Sequence, residues 1–348
     1  MKKGLPAGRR AGIHNPYWDS LGGGERYTAS FVKLLLDEGW QVDITWPKNI
    51  SSQILDRFGI DISLANYVPQ LTTHNYQLIF WLSDGSLPTS FARNTIVHFQ
   101  MPFKDIGGRS TLNFIKSRFY KFVSNSEFTK KTVDKEFNIN SSVIYPPIDT
   151  SKFTAGKKEN LIFYIGRFSN LTQRKGHDQL IKSFKKLKLK GWKLILAGGM
   201  GVGSTEKDIQ HLKKLSDGSN IEFVINPSFS QIQNLCAIGK IFWSASGYSA
   251  DKAIQTEHFG ITVVEAMSAG AVPIITNLGG HKEIVDDKTN GYLWNSPEEL
   301  EKITIELTTD NLPAGRQGQQ LTTISSAAIT KSKIFDISEF NRRFLMLI

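Results

Sequence analysis

The chain has 348 residues, of which 40% are hydrophobic and 21% charged, and its formal net charge is +10. That length exceeds one ordinary domain of about 150 residues, and that hydrophobic content excludes a disordered chain, so two packed domains are expected. A single cysteine, Cys236, excludes an internal disulfide and any multi-thiolate metal site, and points to a reducing, cytoplasmic setting.

The basic excess is spread over both halves of the chain. It suits phosphate-bearing ligands or an anionic membrane surface. Nucleic acid is set aside as a partner, because no nucleic-acid-binding motif accompanies the even charge. No apolar run approaches the roughly 18 residues that span a bilayer, and the basic start lacks the apolar core of a secretion signal.

In chain order, the first clear unit follows the glycine turn Gly22-Gly23-Gly24. A helix is predicted there, with Tyr27, Phe31, Leu34 and Leu35 on one face and Gly39 as its stop. QVDITW, QLIFWLS and NTIVHF are short apolar runs of the kind buried on both faces of a parallel sheet. TLNFIKSRFYKFV interleaves Lys116, Arg118 and Lys121 with Phe114, Ile115, Phe119, Tyr120 and Phe122. It reads either as a helix lying on an anionic membrane surface or as one covering its own core. FVSNSEFTKKTVDKEF gives a strand, an N-cap at Ser126 and a helix.

Pro146 and Pro147 are the hinge candidates. Beyond them the rhythm repeats: NLIFYIGRF, WKLILAGG, NIEFVIN, KIFWSAS and AVPIIT as strands, with helices between. Such alternation predicts α/β architecture with two doubly wound parallel sheets and ligand at the strands' carboxyl ends. The pentapeptide LPAGR occurs at Leu5–Arg9 and at Leu312–Arg316. Both copies read as exposed inserts, the first leaving only a vestige of an opening strand around Ala11-Gly12-Ile13.

The most specific signal is EHFGITVVE, with Glu257 and Glu265 separated by seven residues. Gly260 permits close backbone approach and opens a helix, whose N–H groups and positive dipole end suit a diphosphate. Carboxylates on either side would accept hydrogen bonds from sugar or ribose hydroxyls. The spacing alone also fits two surface glutamates around an apolar helix. Arg167 and Lys175 on their own read as solvated surface charge. A lone histidine such as His98, after an apolar strand, is more often structural.

These segments, with HNPYWDSLGGGERY, TIVHFQMP, SNSEFTKK, VIYPPID, IGRFSNLTQRKG and NLGGHKEIV, make the chain resemble family 4 of the retaining glycosyltransferases. The resemblance spans roughly Ile13 to Trp294 and is strongest to α-mannosyltransferases that extend lipid-linked oligosaccharides. It implies the GT-B fold, two Rossmann-like domains with a cleft between them. Residues 1–150 would form an acceptor-side domain, 151–330 a nucleotide-sugar domain, and 331–348 a helix returning to the first.

The resemblance also implies roles. Glu257 would contact the donor sugar, and His98 would sit near the reacting carbon. Arg167 and Lys175 would neutralise the departing diphosphate. Gly22, Gly23 and Gly24 would face the diphosphate from the first domain. Phe259, Gly260, Ile261 and Thr262 would offer backbone N–H groups, and Glu265 would hold the ribose. Gly279, Gly280 and Glu283 would line the cleft.

The expected partners are a nucleotide-sugar donor and a glycan or lipid-linked acceptor. The family generally needs no metal or other cofactor, and this chain has no D-x-D pair to bridge one. The attacking hydroxyl is expected on the face the nucleotide leaves, with no protein nucleophile. Two rivals stay open: a nucleotide-binding Rossmann-type protein of another class, and a catalytically inactive relative. The run AGGMGVGST misses the dinucleotide fingerprint, since Ser204 stands at its last glycine position.

Overall fold

In a computed structural model, residues 8–169, 173–201, 203–308 and 316–348 are described, the last of these without the side chains of residues 316–319. The chain divides into two compact units. The first holds Met1–Pro147 and Ser338–Ile348, the second Ile148–Ile337.

The first unit runs β1 (Arg10–His14), α1 (Gly23–Asp37), β2 (Gln41–Thr45), α2 (Ser51–Phe58), β3 (Asn66–Val68), β4 (Leu78–Leu82), β5 (Asn94–Phe99), α3 (Thr111–Ser117), β6 (Lys121–Ser124), α4 (Glu127–Phe137) and β7 (Ser142–Val143). Its seven strands lie in the order β3-β2-β1-β4-β5-β6-β7. The second unit runs β8 (Glu159–Ile165), α5 (His177–Leu187), β9 (Lys193–Gly198), α6 (Glu206–Ser216), β10 (Ile221–Ile225), α7 (Phe229–Ile238), β11 (Gly239–Ser244), α8 (Ile261–Ser268), β12 (Val272–Thr276), α9 (His281–Ile284), β13 (Tyr292–Trp294), α10 (Pro297–Thr308) and α11 (Arg316–Ser332). Its six strands lie in the order β10-β9-β8-β11-β12-β13. Helix α12 (Ile337–Leu345) closes the chain. Among the described residues every strand pairing is parallel.

Parallel ladders need crossover helices on both faces, so the strands are buried on both sides and read as unbroken apolar runs. LIFWL in β4 and the LIFYI that ends β8 are of this kind. Chain order reverses between β1 and β4 in one sheet and between β8 and β11 in the other. At such a switch point the loops diverge to opposite faces and leave a crevice at the strands' carboxyl ends.

The opening strand corrects the expectation of a vestige. Arg10–His14 is a full strand in the sheet's interior, paired residue for residue with β2 and through Ala11–His14 with β4. Gly12 is fitted to that place, since a Cβ there would meet the Ile79 side chain at 2.7 Å. Of the LPAGR copies, Leu5–Ala7 and residues 312–315 lie outside the described residues.

Helix α1 buries Tyr27, Phe31, Leu34 and Leu35. The Ser126 side chain accepts a hydrogen bond from the Thr129 N–H and so caps α4. Phe340 and Phe344 of α12 belong to the first unit's core, around Phe31 and Tyr27. The second unit extends to Ile337, beyond residue 330, because Asp336 is tied to Thr150 and the Ile337 N–H donates to the Ile148 carbonyl.

Helix α3 buries none of its residues, which rules out its covering the unit's core. Among the described residues, no helix is long and apolar enough to cross a membrane.

Candidate active site

In the second unit, the predicted residues gather at the carboxyl ends of β8, β9, β11 and β12. The centre is an ion pair: the Lys175 Nζ lies 2.7 Å from Glu257 Oε2, with the two side chains only 10% and 19% exposed. The same ammonium donates to Gln173 Oε1 at 2.8 Å. Burial alone would push the Glu257 carboxyl upward. The surrounding charges, the Lys175 cation first, together outweigh that burial and with the direct hydrogen bond draw the carboxyl down to about 2. Glu257 is therefore a fixed carboxylate, able to accept hydrogen bonds and unable to act as a general acid at neutral pH.

Helix α8 opens immediately after this segment. Gly260 is its N-cap, at a φ of 121° that a side chain would strain. The Thr262 hydroxyl donates to the Ile165 carbonyl at the end of β8, at 3.1 Å. That bond sets the first turn of α8 beside Gly166-Arg167, the residues leaving β8. Arg167 runs along the Gly201 backbone, 3.3 Å from where a Cβ would project. Phe259 is buried, its ring edge-on to Phe335 at 5.2 Å, so only its backbone can serve a ligand. Glu265 is buried in the second turn of α8.

The Gly279-Gly280 loop does more than line a crevice. The Gly280 N–H donates to the Glu257 carbonyl at 2.8 Å. A Cβ on Gly279 would stand 2.2 Å from that same carbonyl oxygen, and one on Gly280 would stand 2.3 Å from the His258 carbonyl. Two glycines are thus needed for one backbone to seat against another, and the seated segment carries Glu257. Glu283, partly exposed on α9, follows three residues after Gly280.

Sequence reasoning passed over His281. It is buried, and its Nδ1 lies 2.9 Å from the Thr276 hydroxyl, which itself donates to the Ser246 carbonyl at 2.7 Å. The Thr276 oxygen then accepts from an Nδ1–H tautomer. Burial draws this imidazole down to about 4, against the pull of the Glu257 carboxylate. A neutral His281 therefore braces the switch-point loops behind Glu257. Only its place in NLGGHKEIV could have flagged it.

The first unit holds the remaining predicted residues. Gly22, Gly23 and Gly24 lie at the start of α1, beyond the carboxyl end of β1 and so at that sheet's switch point. The Gly22 N–H donates to Glu25 Oε2 at 2.8 Å, and Ser20 donates to the same oxygen. Glu25 is buried, which pushes its carboxyl up against those hydrogen bonds. This internal anion at the helix start also escaped sequence reasoning.

His98 is placed differently from the crevice position expected of it. Its ring is fully buried, stacked on Tyr27 at 3.9 Å and 5.7 Å from Phe80. Alternation along β5 sends Ile96 and His98 to one face, and α1 covers that face. Loss of hydration draws its pKa down to about 3. A cavity of about 540 Å³ in this unit, walled by Tyr120, Lys121, Asn138 and Leu347 among others, shares no residue with either set.

The fold recurs in known proteins. A glycosyltransferase from Rickettsia africae has the same fold, with a TM-score of 0.74 at 18% identity, covering 97% of both chains. So does the Anabaena protein HepE, solved with UDP and glucose, with a TM-score of 0.73 at 17% identity over 97% of this chain and 98% of that one. The fold is of the GT-B class. The GDP-Man:Man(3)GlcNAc(2)-PP-Dol alpha-1,2-mannosyltransferase of Mus musculus is 32% identical over 183 residues, 45% of this chain and 34% of that protein. The chain spans between about a third and a half of the length of such curated relatives. The family described as glycosyl transferases group 1 matches residues 147–321, just over half of the chain and all of the segment that carries Lys175, Glu257 and the glycine loop. On that match, the chain belongs to the group 1 glycosyl transferases.

Proposed function

We propose that the chain transfers a hexose, mannose in the first instance, from a nucleoside-diphosphate donor to a lipid-linked or glycan acceptor, with retained configuration. The observation that carries this is the Lys175–Glu257 pair at the switch point, beside the start of α8. It joins a fixed cation, a fixed carboxylate and a helix N-terminus, which are the groups a sugar diphosphate needs.

In this reading Arg167 and Lys175 oppose the charge that grows on the leaving diphosphate. The start of α8, from Phe259 to Thr262, meets phosphate and sugar, and Glu265 accepts from the ribose. Glu257 accepts from a sugar hydroxyl. Its low pKa argues against a proton-donating role; the acceptor oxygen bonds the anomeric carbon as that carbon's bond to the phosphate oxygen breaks, and the acceptor's proton passes to the departing phosphate. His98 acts by holding Tyr27 and α1 in place.

No metal takes part in this scheme, and the enzyme works from the cytoplasmic side. The test is turnover with GDP-mannose, UDP-glucose and UDP-N-acetylglucosamine, each with and without EDTA. Preference for GDP-mannose, unchanged by EDTA, is expected, in line with the donor named for the murine relative. No turnover of any donor with lipid-linked acceptors present would overturn the reading.

A further inference from the structure

Helix α3 is amphipathic in the inverted sense. Its inward-turned residues are polar: Asn113 donates to the Gly108 carbonyl, Lys116 to Leu87, and Tyr120, just beyond the helix, to Pro88. Its outward residues are apolar. Leu112, Ile115 and Phe119 follow one another at helical spacing and are 59%, 52% and 75% exposed. The turn continues past Ser117, since the Phe119 N–H donates to the Lys116 carbonyl. A water-facing helix is built the other way round.

The patch is wider than the helix. The Ser90 N–H donates to the Tyr120 hydroxyl, which brings the exposed Phe91 to the Phe119 end. The exposed Ile106, whose side chain approaches Gly85, belongs to the loop that leads into α3.

The surrounding charge is mainly positive, the exceptions being Asp105 and the Glu136 carboxylate, which accepts from the Asp105, Ile106 and Gly108 N–H groups. Between Phe91 and Lys121 the cations are Arg93, Lys104, Arg109, Lys116, Arg118 and Lys121, against Asp105 alone. Among the described residues, Arg93, Lys116, Arg118 and Lys121 have no carboxylate within ion-pair distance. The Arg118 guanidinium instead lies over the Phe114 ring, 4.7 Å from its centre. Apolar side chains that need cover, beside Arg93 and Arg118, which pair with no carboxylate, match a layer of hydrocarbon beneath anionic headgroups.

We propose that this face, formed by α3 with Phe91 and Ile106, docks the protein on an anionic lipid bilayer. Leu112, Ile115 and Phe119 enter the interface while Arg93 and Arg118 meet the headgroups. The inference is independent of the reaction proposed above.

Co-sedimentation of the full chain with vesicles of phosphatidylcholine and phosphatidylglycerol tests it. Binding at low salt, weakened by added salt and by omission of the anionic lipid, is expected. Joint replacement of Leu112→Ser, Ile115→Ser and Phe119→Ser should weaken partitioning by roughly tenfold or more, with an unchanged melting temperature because all three are exposed. A second variant, Arg93→Gln with Arg118→Gln, should bind more weakly and with a shallower salt dependence; it guards against a folding defect in the first. No wild-type binding at low salt, or equal binding by both variants, overturns the proposal. So does a wild-type dimer in sedimentation velocity that the triple substitution turns into a monomer, which would make a second copy the occupant.

Discussion

Lys175 and Glu257 are 82 positions apart and meet at 2.7 Å in a site with little solvent. Removing one partner leaves the other's charge uncompensated, which costs about 3–5 kcal/mol for a well-buried pair and less here, where the side chains keep some exposure. Any activity loss from a single substitution is therefore mixed with a stability loss, and the double substitution separates the two. Glu257→Gln and Lys175→Ala should each lower donor turnover by roughly 10²–10³-fold, the scale of a lost preorganised charge. Combining them should recover thermal stability relative to Lys175→Ala alone, because no orphaned charge remains, without recovering turnover. Stopped or continuous turnover assays alongside melting curves decide it. Near-normal turnover in both single variants would remove the pair from the reaction. The sequence could mark Glu257 through its spacing to Glu265, but it could not show what holds it. That depends on Gly279 and Gly280 approaching its backbone more closely than any side chain allows, a contact between segments some twenty residues apart.

Elements differ in how far the sequence reveals them, and the reason is which forces define each. Strands such as β4 and β8 are legible because burial on both faces leaves no choice but apolar residues. Helix α1 is legible because one buried face imposes a 3.6-residue period. β1 is not, since RAGIH offers only Ala11 and Ile13 as apolar side chains, and the ladders to β2 and β4 make it a strand. His98 fails for a related reason: parity gives its face, but not that α1 covers that face. The same limit applies to α3, whose composition told of an amphipathic helix but not which side turns inward. For α12 the sequence gives helix and apolar spacing, and packing gives its weight. Phe344 is fully buried, 4.5 Å from the Phe31 ring and 4.8 Å from Phe340. Phe344→Ala should cost about 3–5 kcal/mol, the lost transfer energy plus the cavity left behind. Hydrogen exchange should then speed up in β1 and β4, the strands of that core. Unchanged protection there would mean that α12 is peripheral to it.

Across the whole molecule, both units carry histidines that their surroundings hold neutral. Loss of hydration on burial draws His98 in the first unit to about 3, and His177 and His281 in the second to about 4. In the unfolded chain each would titrate near 6.5. Below that pH the unfolded chain takes up protons that the folded chain refuses, so stability falls as pH drops from about 6.5, and the loss continues until the folded values are reached. Each histidine contributes up to about 1.4 kcal/mol per pH unit within that window. Glu257 acts in the same direction but lower, because a depressed carboxyl gives stability that is present above its unfolded value of 4.5 and is lost as pH falls through about 2. The melting temperature should therefore be level near pH 7 and decline steadily from about 6.5 toward 4, before carboxylates dominate. His177 stacks on Phe168 at 4.7 Å, so His177→Phe keeps an aromatic ring in place and removes the titration. That variant should melt with a shallower dependence on pH across the same window. A wild-type midpoint that stays constant from pH 7 to 4.5 would mean that these imidazoles are reached by protons in the folded state, and that the dry surroundings argued for His281 behind Glu257 are not dry.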